Sequence, residues 1–363
     1  QRQMCIRDRS DITNTWVPSM RRYIDEEALM KLIQRQGYLD FLRRNRDRPI
    51  IKVVSGIRRC GKSTLFRLFK DELLADNVKP EQIISINFEE LEYEHLRDYH
   101  ALYQYILERM QPNETNYIFL DEIQHVDQFH RVVDSLFVKE NTDLYITGSN
   151  AYFMSSDIAT LLTGRYVEIQ MLPLSFSEFY HSKYEGNQYS LIPAYEAYLR
   201  ESSFPYTQQL GGEDFDIQEY LRGLYNTLLL HDVVARWKIN DVTSLQDIVR
   251  YIMANVGSLL SPNKIANSLV SAGRKIDNKT VERYLQGLQD SLLLYKVNRY
   301  DVRGKELLRI NAKYYSVDVT LRNWLVGNAS RDTGHILENI VFLELIRRGY
   351  TVYVCLLYTS DAA

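Results

Sequence analysis

A short apolar run that ends in a glycine-rich, lysine-bearing turn and continues as a helix is compatible with few folds. Here residues 50–55, IIKVVS, lead into Gly56-Ile57-Arg58-Arg59-Cys60-Gly61-Lys62-Ser63-Thr64, which satisfies G-x-x-x-x-G-K-[ST]. An amphipathic stretch, TLFRLF, begins at Thr64. A triphosphate needs dense positive potential at close range, and such a turn points successive backbone N–H groups inward at a helix N-terminus. Lys62 is expected to reach the β- and γ-phosphates of ATP, and the Ser63 hydroxyl to ligate Mg²⁺. Motif and strand–turn–helix context agree.

Around this loop, from residue 21 to about 185, apolar runs alternate with helical patterns, the signature of a parallel α/β sheet with flanking crossover helices. The runs fall at 50–55, 83–88, 117–121, 144–147 and 166–171, and segments 62–74 and 129–137 carry apolar residues at helical spacing. In YIFLDEIQ, a buried strand presents Asp121 and Glu122 at its C-terminal end, where ligands sit in open α/β sheets. Asp121 is expected to hold Mg²⁺ through its water shell, and Glu122 to orient and polarise the attacking water. In LYITGSN, one of Thr147, Ser149 and Asn150 either senses the γ-phosphate or merely caps the strand. Arg165 opens the last strand and reads either as a solvated surface arginine or as one that reaches the γ-phosphate, in cis or from a neighbouring subunit. Arg58 and Arg59 carry the same ambiguity. Cys60 reads as a small loop residue or as an oxidation-sensitive brake.

Segment 186–240 reads as a helical linker broken at 202–205 and at Gly211-Gly212. Beyond it, Leu245, Ile248, Val249, Ile252 and Val256 share one helical face, and Ser261-Pro262 gives an N-cap followed by a first-turn proline. Helices at 262–271 and 278–291 then precede two β-like runs, 292–300 and 307–315, joined around Gly304. Three helices and a hairpin make a winged-helix reading. Residues 262–315 hold eleven Lys and Arg against five Asp and Glu, although the whole chain carries a formal net charge of -3. Lys275, Lys279 and Arg283 lie on or before the third helix, and Lys296, Arg299, Arg303, Lys305 and Arg309 on the wing. This face suits either phosphate contacts to double-stranded DNA or a protein partner.

The remaining composition excludes other classes. With 363 residues, 45% hydrophobic and 25% charged, the chain reads as an ordinary globular protein of two or three domains. No apolar run approaches the roughly 20 residues that cross a bilayer, and no signal-peptide core is visible, so a cytoplasmic location is expected and no membrane partner. Three cysteines, Cys5, Cys60 and Cys355, are too few and scattered for a disulfide framework or a zinc site, and the seven histidines form no ligand-spaced group. Hydride chemistry and protease triads have no support. MCIRDRS near the start and CLLYTSDAA at the end read as translated sequencing-adapter sequence, so 1–19 and 355–363 are expected to lie outside the fold, with Met20 the expected start and the natural C-terminus missing.

With GIRRCGKSTL, YIFLDEIQ, YITGSNA, LLTGRYVEIQMLPLSFSEF and KYYSVDVTLRNWL on the page, the chain resembles, from about 20 to 354, a bacterial and archaeal family in which an AAA-type P-loop ATPase domain is fused to a C-terminal domain of unknown function. The resemblance implies a five-stranded AAA-type core with the strand ending at Thr147 between the P-loop strand and the Asp121 strand, and Arg165 as a functional arginine. It also implies a restriction-endonuclease-like end, truncated here, with Glu338 in HILENIVFLELIRRGYTVYV as its first carboxylate. The expected division is an ATPase domain at 20–185, a helical linker or lid at 186–240, a winged-helix domain at 241–330 and the start of a truncated nuclease-like α/β segment at 331–354. An ATPase that couples nucleotide state to a DNA- or partner-binding C-terminal region, in a homo-oligomer or alone, leads the readings. A slow nucleotide-bound switch and the ATPase half of a DNA-processing nuclease are the alternatives.

Overall fold

Alternation of side chains along each strand explains how five apolar runs share one sheet and supply two cores. A computed structural model of the chain describes residues 32–148, 162, 164–184, 189–210, 214–301, 306–327 and 332–355, the side chains of 301 and 306–310 excepted. The chain divides into two units, Gln1–Gln34 and Arg35–Ala363, and the architecture is that of the second. Strands β1 (Ile51–Gly56), β2 (Ile83–Asn87), β3 (Asn116–Asp121), β4 (Thr142–Gly148) and β5 (Tyr166–Met171) pair in parallel in the order β2-β3-β4-β1-β5. β4 therefore lies between the P-loop strand and the Asp121 strand, as expected.

A parallel sheet must be covered on both faces. Val54, Phe119 and Tyr145 point to one core, shared with Leu39 and Leu42 of α1 (Gln36–Asn45) and Phe66 and Phe69 of α2 (Lys62–Ala75). Phe119 stacks on Tyr145 at 4.6 Å between centroids, and Phe66 meets Phe119 edge-on at 5.2 Å. Val53, Ile118, Leu120 and Ile146 point to the other core, against Leu102 and Ile106 of α3 (Tyr99–Arg109) and Val132, Val133 and Leu136 of α4 (Phe129–Phe137). Each such side chain stabilises the sheet by roughly 1.5–3 kcal/mol. The C-terminal ends of β3, β4 and β1 emerge side by side as a result.

The chain continues through α5 (Phe176–Tyr184), α6 (Leu191–Glu201), α7 (Asp214–Asn226) and a π-helix, Thr227–Ala235, where the sequence led us to expect an ordinary helix. Next come α8 (Val242–Ala254), β6 (Leu259–Leu260), α9 (Pro262–Ser271), α10 (Asn278–Asp290), β7 (Leu294–Asp301) and β8 (Glu306–Ser316). The last three strands form an antiparallel sheet in the order β6-β8-β7. Asp241, Ser261 and Asp277 cap α8, α9 and α10 by accepting from backbone N–H groups three residues on, the contact that fixes where each helix begins. After α11 (Val319–Val326), α12 (Thr333–Arg347) lays Phe342 on Tyr315 at 4.3 Å, and Val354 bridges to Arg299 on β7. One apolar core runs unbroken from Phe66 to Leu285 and Phe342, so the sheet and the C-terminal helices are packed as a continuous body.

Lys52, inside the apolar run of β1, is fully buried and forms an ion pair with Asp143 on β4. Its ammonium also donates to the Arg48 carbonyl at 2.9 Å, while Asp143 accepts from the Asp47 N–H at 2.9 Å and the Tyr145 hydroxyl at 2.7 Å. Both charges are thus supplied with hydrogen bonds. Lys52→Ala leaves the Asp143 carboxylate unpaired and is expected to cost about 3–5 kcal/mol in urea denaturation; a loss under about 1 kcal/mol would mean the pair contributes nothing beyond its volume.

Candidate functional site

The loop after β1 closes on itself because two glycines permit it. A Cβ on Gly56 would stand 2.4 Å from the Met171 carbonyl oxygen, and Gly61 takes φ 104° as the cap of α2. Ile57 and Cys60 are buried anchors, Ser63 is exposed in the first turn of α2, and Thr64 is half-buried beside it. Lys62 is 4% exposed and its ammonium lies 3.2 Å from the Gly56 carbonyl, 3.4 Å from that of Ile57 and 3.2 Å from a Glu122 oxygen. Burial alone would lower its pKa; Glu122 and Asp121 outweigh burial and leave it raised, so the cation is kept.

Asp121 and Glu122 stand where β3 ends, both about 5% exposed. The Thr147 hydroxyl, from the end of β4, donates to Asp121 and accepts from the Glu122 N–H at 2.9 Å. That second contact holds Glu122 in a left-handed conformation, φ 56°, which costs a non-glycine residue about 1–3 kcal/mol and turns its side chain toward Lys62. Gln124 donates to the second Glu122 oxygen at 2.5 Å. Burial raises the Asp121 carboxyl, and hydrogen bonds from Ser63 and Thr147 partly offset this. Ser63 and Asp121, the expected Mg²⁺ ligands, therefore present adjacent oxygens of the type a hard cation takes. Of the three sensor candidates Thr147 is in the site; Ser149 and Asn150 lie outside the described residues.

Arg165 is brought elsewhere. Its carbonyl accepts from the N–H of Ile51, the first residue of β1, whereas the phosphate loop follows the last, roughly 16 Å of strand away. Its side chain pairs with Asp134 at 3.0 Å and is 47% exposed. That distance keeps it from the phosphates of its own chain and leaves the readings of a paired surface arginine and of one that acts on a neighbouring copy. The brake reading of Cys60 also fails, because burial pushes the thiol pKa up and disfavours the reactive thiolate. Glu338 accepts from Lys313 at 2.5 Å and Tyr315 at 2.7 Å. Among the described residues it belongs to no cluster of metal-ligating side chains; the one such group is Glu89, Glu122 and His125. Lys313 is correspondingly lost to the expected basic face, and Arg274 pairs with Asp247 at 2.7 Å, whereas Lys275, Lys279, Arg283 and Lys296 are exposed.

Arg35 was not singled out in the sequence and turns out to brace the loop. Its buried guanidinium donates to the carbonyls of Cys60 at 3.2 Å, Leu172 at 2.7 Å and Pro173 at 3.2 Å, and pairs in bidentate fashion with Glu178 at 2.8 and 2.9 Å. Arg347 of α12 lies 3.5 Å from the same carboxylate and donates to the Tyr38 hydroxyl and the Pro173 carbonyl.

Residues 48–180 match the model of an AAA domain, and residues 192–332 match a domain of unknown function (DUF8612). An uncharacterized protein of Haemophilus influenzae is 40% identical over 326 residues, which cover 89% of this chain and 81% of that protein. The chain belongs to this family of AAA-domain proteins. A second member, from Methanocaldococcus jannaschii, is 32% identical over 327 residues, 85% of this chain and 69% of its own length. The Walker-type ATPase PABY2304 of Pyrococcus abyssi has the same fold, with a TM-score of 0.51 at 17% identity over 81% of this chain and 95% of that one. The family thus carries a P-loop ATPase fold. Among the described residues no helix is long and apolar enough to cross a membrane.

Burial alone would raise the Glu178 carboxyl, but Arg35 and Arg347 outweigh it and hold its pKa below the ordinary 4.5. A carboxyl depressed on folding contributes stability that is fully present above its unfolded value and is lost as pH falls through its folded value. Glu178→Gln is therefore expected to lower the urea midpoint at pH 7 and to flatten the loss of stability below about pH 4.5. An unchanged acid limb would contradict the depressed pKa.

Proposed function

We propose that this AAA-domain protein binds Mg·ATP and hydrolyses it, and that nucleotide state is transmitted to its C-terminal helices. The convergence of Lys62, Ser63, Asp121, Glu122 and Thr147 on the mouth of one loop carries this reading. The N–H groups at the start of α2 and the Lys62 ammonium receive the β- and γ-phosphates. Ser63 and Asp121 would hold Mg²⁺, whose charge offsets that of the phosphates. Glu122, drawn to Lys62 in the nucleotide-free chain, is freed as phosphate oxygens take over the ammonium, and then orients the attacking water. Thr147 fixes both carboxyl residues and so couples metal and water positions. Arg165, 47% exposed at the opposite end of the sheet, suits a role at the site of a neighbouring copy in a homo-oligomer.

The segment 242–316 has the helix–strand–helix–helix–strand–strand order of a winged helix, which supports that reading and double-stranded DNA as its partner. Lys275, Lys279 and Arg283 leave α10 with an exposed basic edge suited to phosphates.

Steady-state hydrolysis of Mg·ATP, with and without double-stranded DNA, tests both parts. The wild type is expected to turn over, faster with DNA; Glu122→Gln should bind ATP as tightly and lose turnover by 10²-fold or about that. Tight ATP binding without turnover, indifferent to DNA, would favour a nucleotide-bound switch.

A further inference from the structure

The two arginines of the loop have different neighbours. Arg59, in a left-handed conformation at φ 68°, lies on the side of Tyr220, whose phenol is pushed up to about 12 chiefly by burial, with Arg59 opposing. Arg58 turns toward the ends of β2 and β3 and is 16% exposed. Its Nη1 lies 2.5 Å from a Glu89 oxygen, and its Nε and Nη2 lie 3.4 Å from the two oxygens of Asp232 on the π-helix. A Glu89 carboxylate oxygen is in turn within 4.8 Å of one from Glu122, which is itself 3.2 Å from the Lys62 ammonium. Arg58 is thus a second cation on the Glu122 side of the phosphate loop.

On the hydrolysis reading, negative charge builds during transfer of the γ-phosphoryl group on the face from which Glu122 presents water, the side on which Arg58 lies. Asp232 holds Nε and Nη2 only at 3.4 Å, against about 2.7–2.9 Å for a good charge-assisted bond, so a phosphate oxygen can compete for that edge of the guanidinium while Glu89 keeps Nη1. Arg165 cannot supply this charge within the chain. The carboxylates around Arg58 also keep it charged: burial would lower its pKa, but Asp232, Glu122 and Glu89 outweigh burial and leave it raised.

We propose that Arg58 is a catalytic residue, an arginine supplied in cis from within the P-loop that binds the transferring phosphoryl group and is held by Asp232 and Glu89 when no nucleotide is present. The inference rests on the hydrolysis reading above. In the step it serves, the water oxygen bonds to the γ-phosphorus as the bond to the β–γ bridging oxygen breaks. The electron pair leaves with ADP, and one water proton passes to Glu122 and on to solvent. Arg58 keeps its protons and only donates hydrogen bonds, which strengthen as charge gathers on the phosphoryl oxygens.

The test compares turnover, ATP affinity and affinity for ADP with aluminium fluoride, a mimic of the transferring group, in wild type, Arg58→Ala, Arg58→Lys and Asp232→Asn, all with Mg²⁺. Arg58→Ala should lose about 10³-fold in turnover and lose its preference for the mimic while ATP affinity changes about 3-fold or less; Arg58→Lys should fall between. Asp232→Asn, which removes one of the two carboxylates that hold Arg58 and leaves the cation, should turn over at least as fast as wild type. Arg58→Ala with near wild-type turnover, or equal losses in Arg58→Ala and Asp232→Asn, would overturn the proposal, the second by showing that the ion pair matters only to structure. A wild type that binds ATP without turnover would instead overturn the hydrolysis reading, and this inference with it.

Discussion

The Thr147 hydroxyl, placed between Asp121 and the Glu122 N–H, is the contact on which the site depends. Two adjacent carboxyl residues and a lysine ammonium are buried together at one end of the sheet, and unpaired charges there would cost several kcal/mol each. Parallel pairing of β4 between β3 and β1 solves the problem, because it lines up three strand ends and sets a hydroxyl, a carboxylate pair and the Lys62 ammonium within reach of one another. Glu122 accepts backbone strain in return for its place beside Lys62. The geometry is stable only as a set, which is the condition a preorganised phosphate site requires.

A second buried cluster ties that site to the rest of the chain. Arg35 holds the carbonyl behind the loop at Cys60, and shares Glu178 with Arg347 of α12. On the opposite side of the loop, Arg58 reaches Asp232 on the π-helix, and that helix packs on α10: a Cβ at Gly287 would stand 3.1 Å from Val233. Two chains of contacts thus leave the loop, one through Glu178 to the last helix and one through Asp232 to the π-helix that packs on α10. One apolar core is continuous between them.

What was legible in the sequence was local. The P-loop, the Asp121-Glu122 strand end and all five strands follow from motifs or from apolar runs bounded by turns; of the three helices ahead of the hairpin, the one after Ser261 follows from N-cap chemistry and the others from apolar spacing and turns. Arg35 and Thr147 owe their roles to partners far away, Glu178 lying 143 residues from Arg35 and Thr147 lying 26 from Asp121, and no periodicity reports such contacts. The π-helix was hidden because LLLHDVV satisfies an ordinary apolar helix equally well. For Arg165 the sequence left cis and trans action open, because proximity in sequence to a strand says nothing about which end of the sheet that strand begins from. Glu338 matched a motif position, and one of its oxygens accepts from both Lys313 and Tyr315, partners 25 and 23 residues away that the motif does not report.

Isothermal titration of the wild-type chain with ATP, in Mg²⁺ and again in excess chelator, tests the central claim that these buried charges form a seat for Mg·ATP. One nucleotide should bind per chain, more tightly with Mg²⁺, because Ser63 and Asp121 add ligands only when the cation is present. Absence of binding up to about 1 mM ATP, or an affinity indifferent to Mg²⁺, would contradict it.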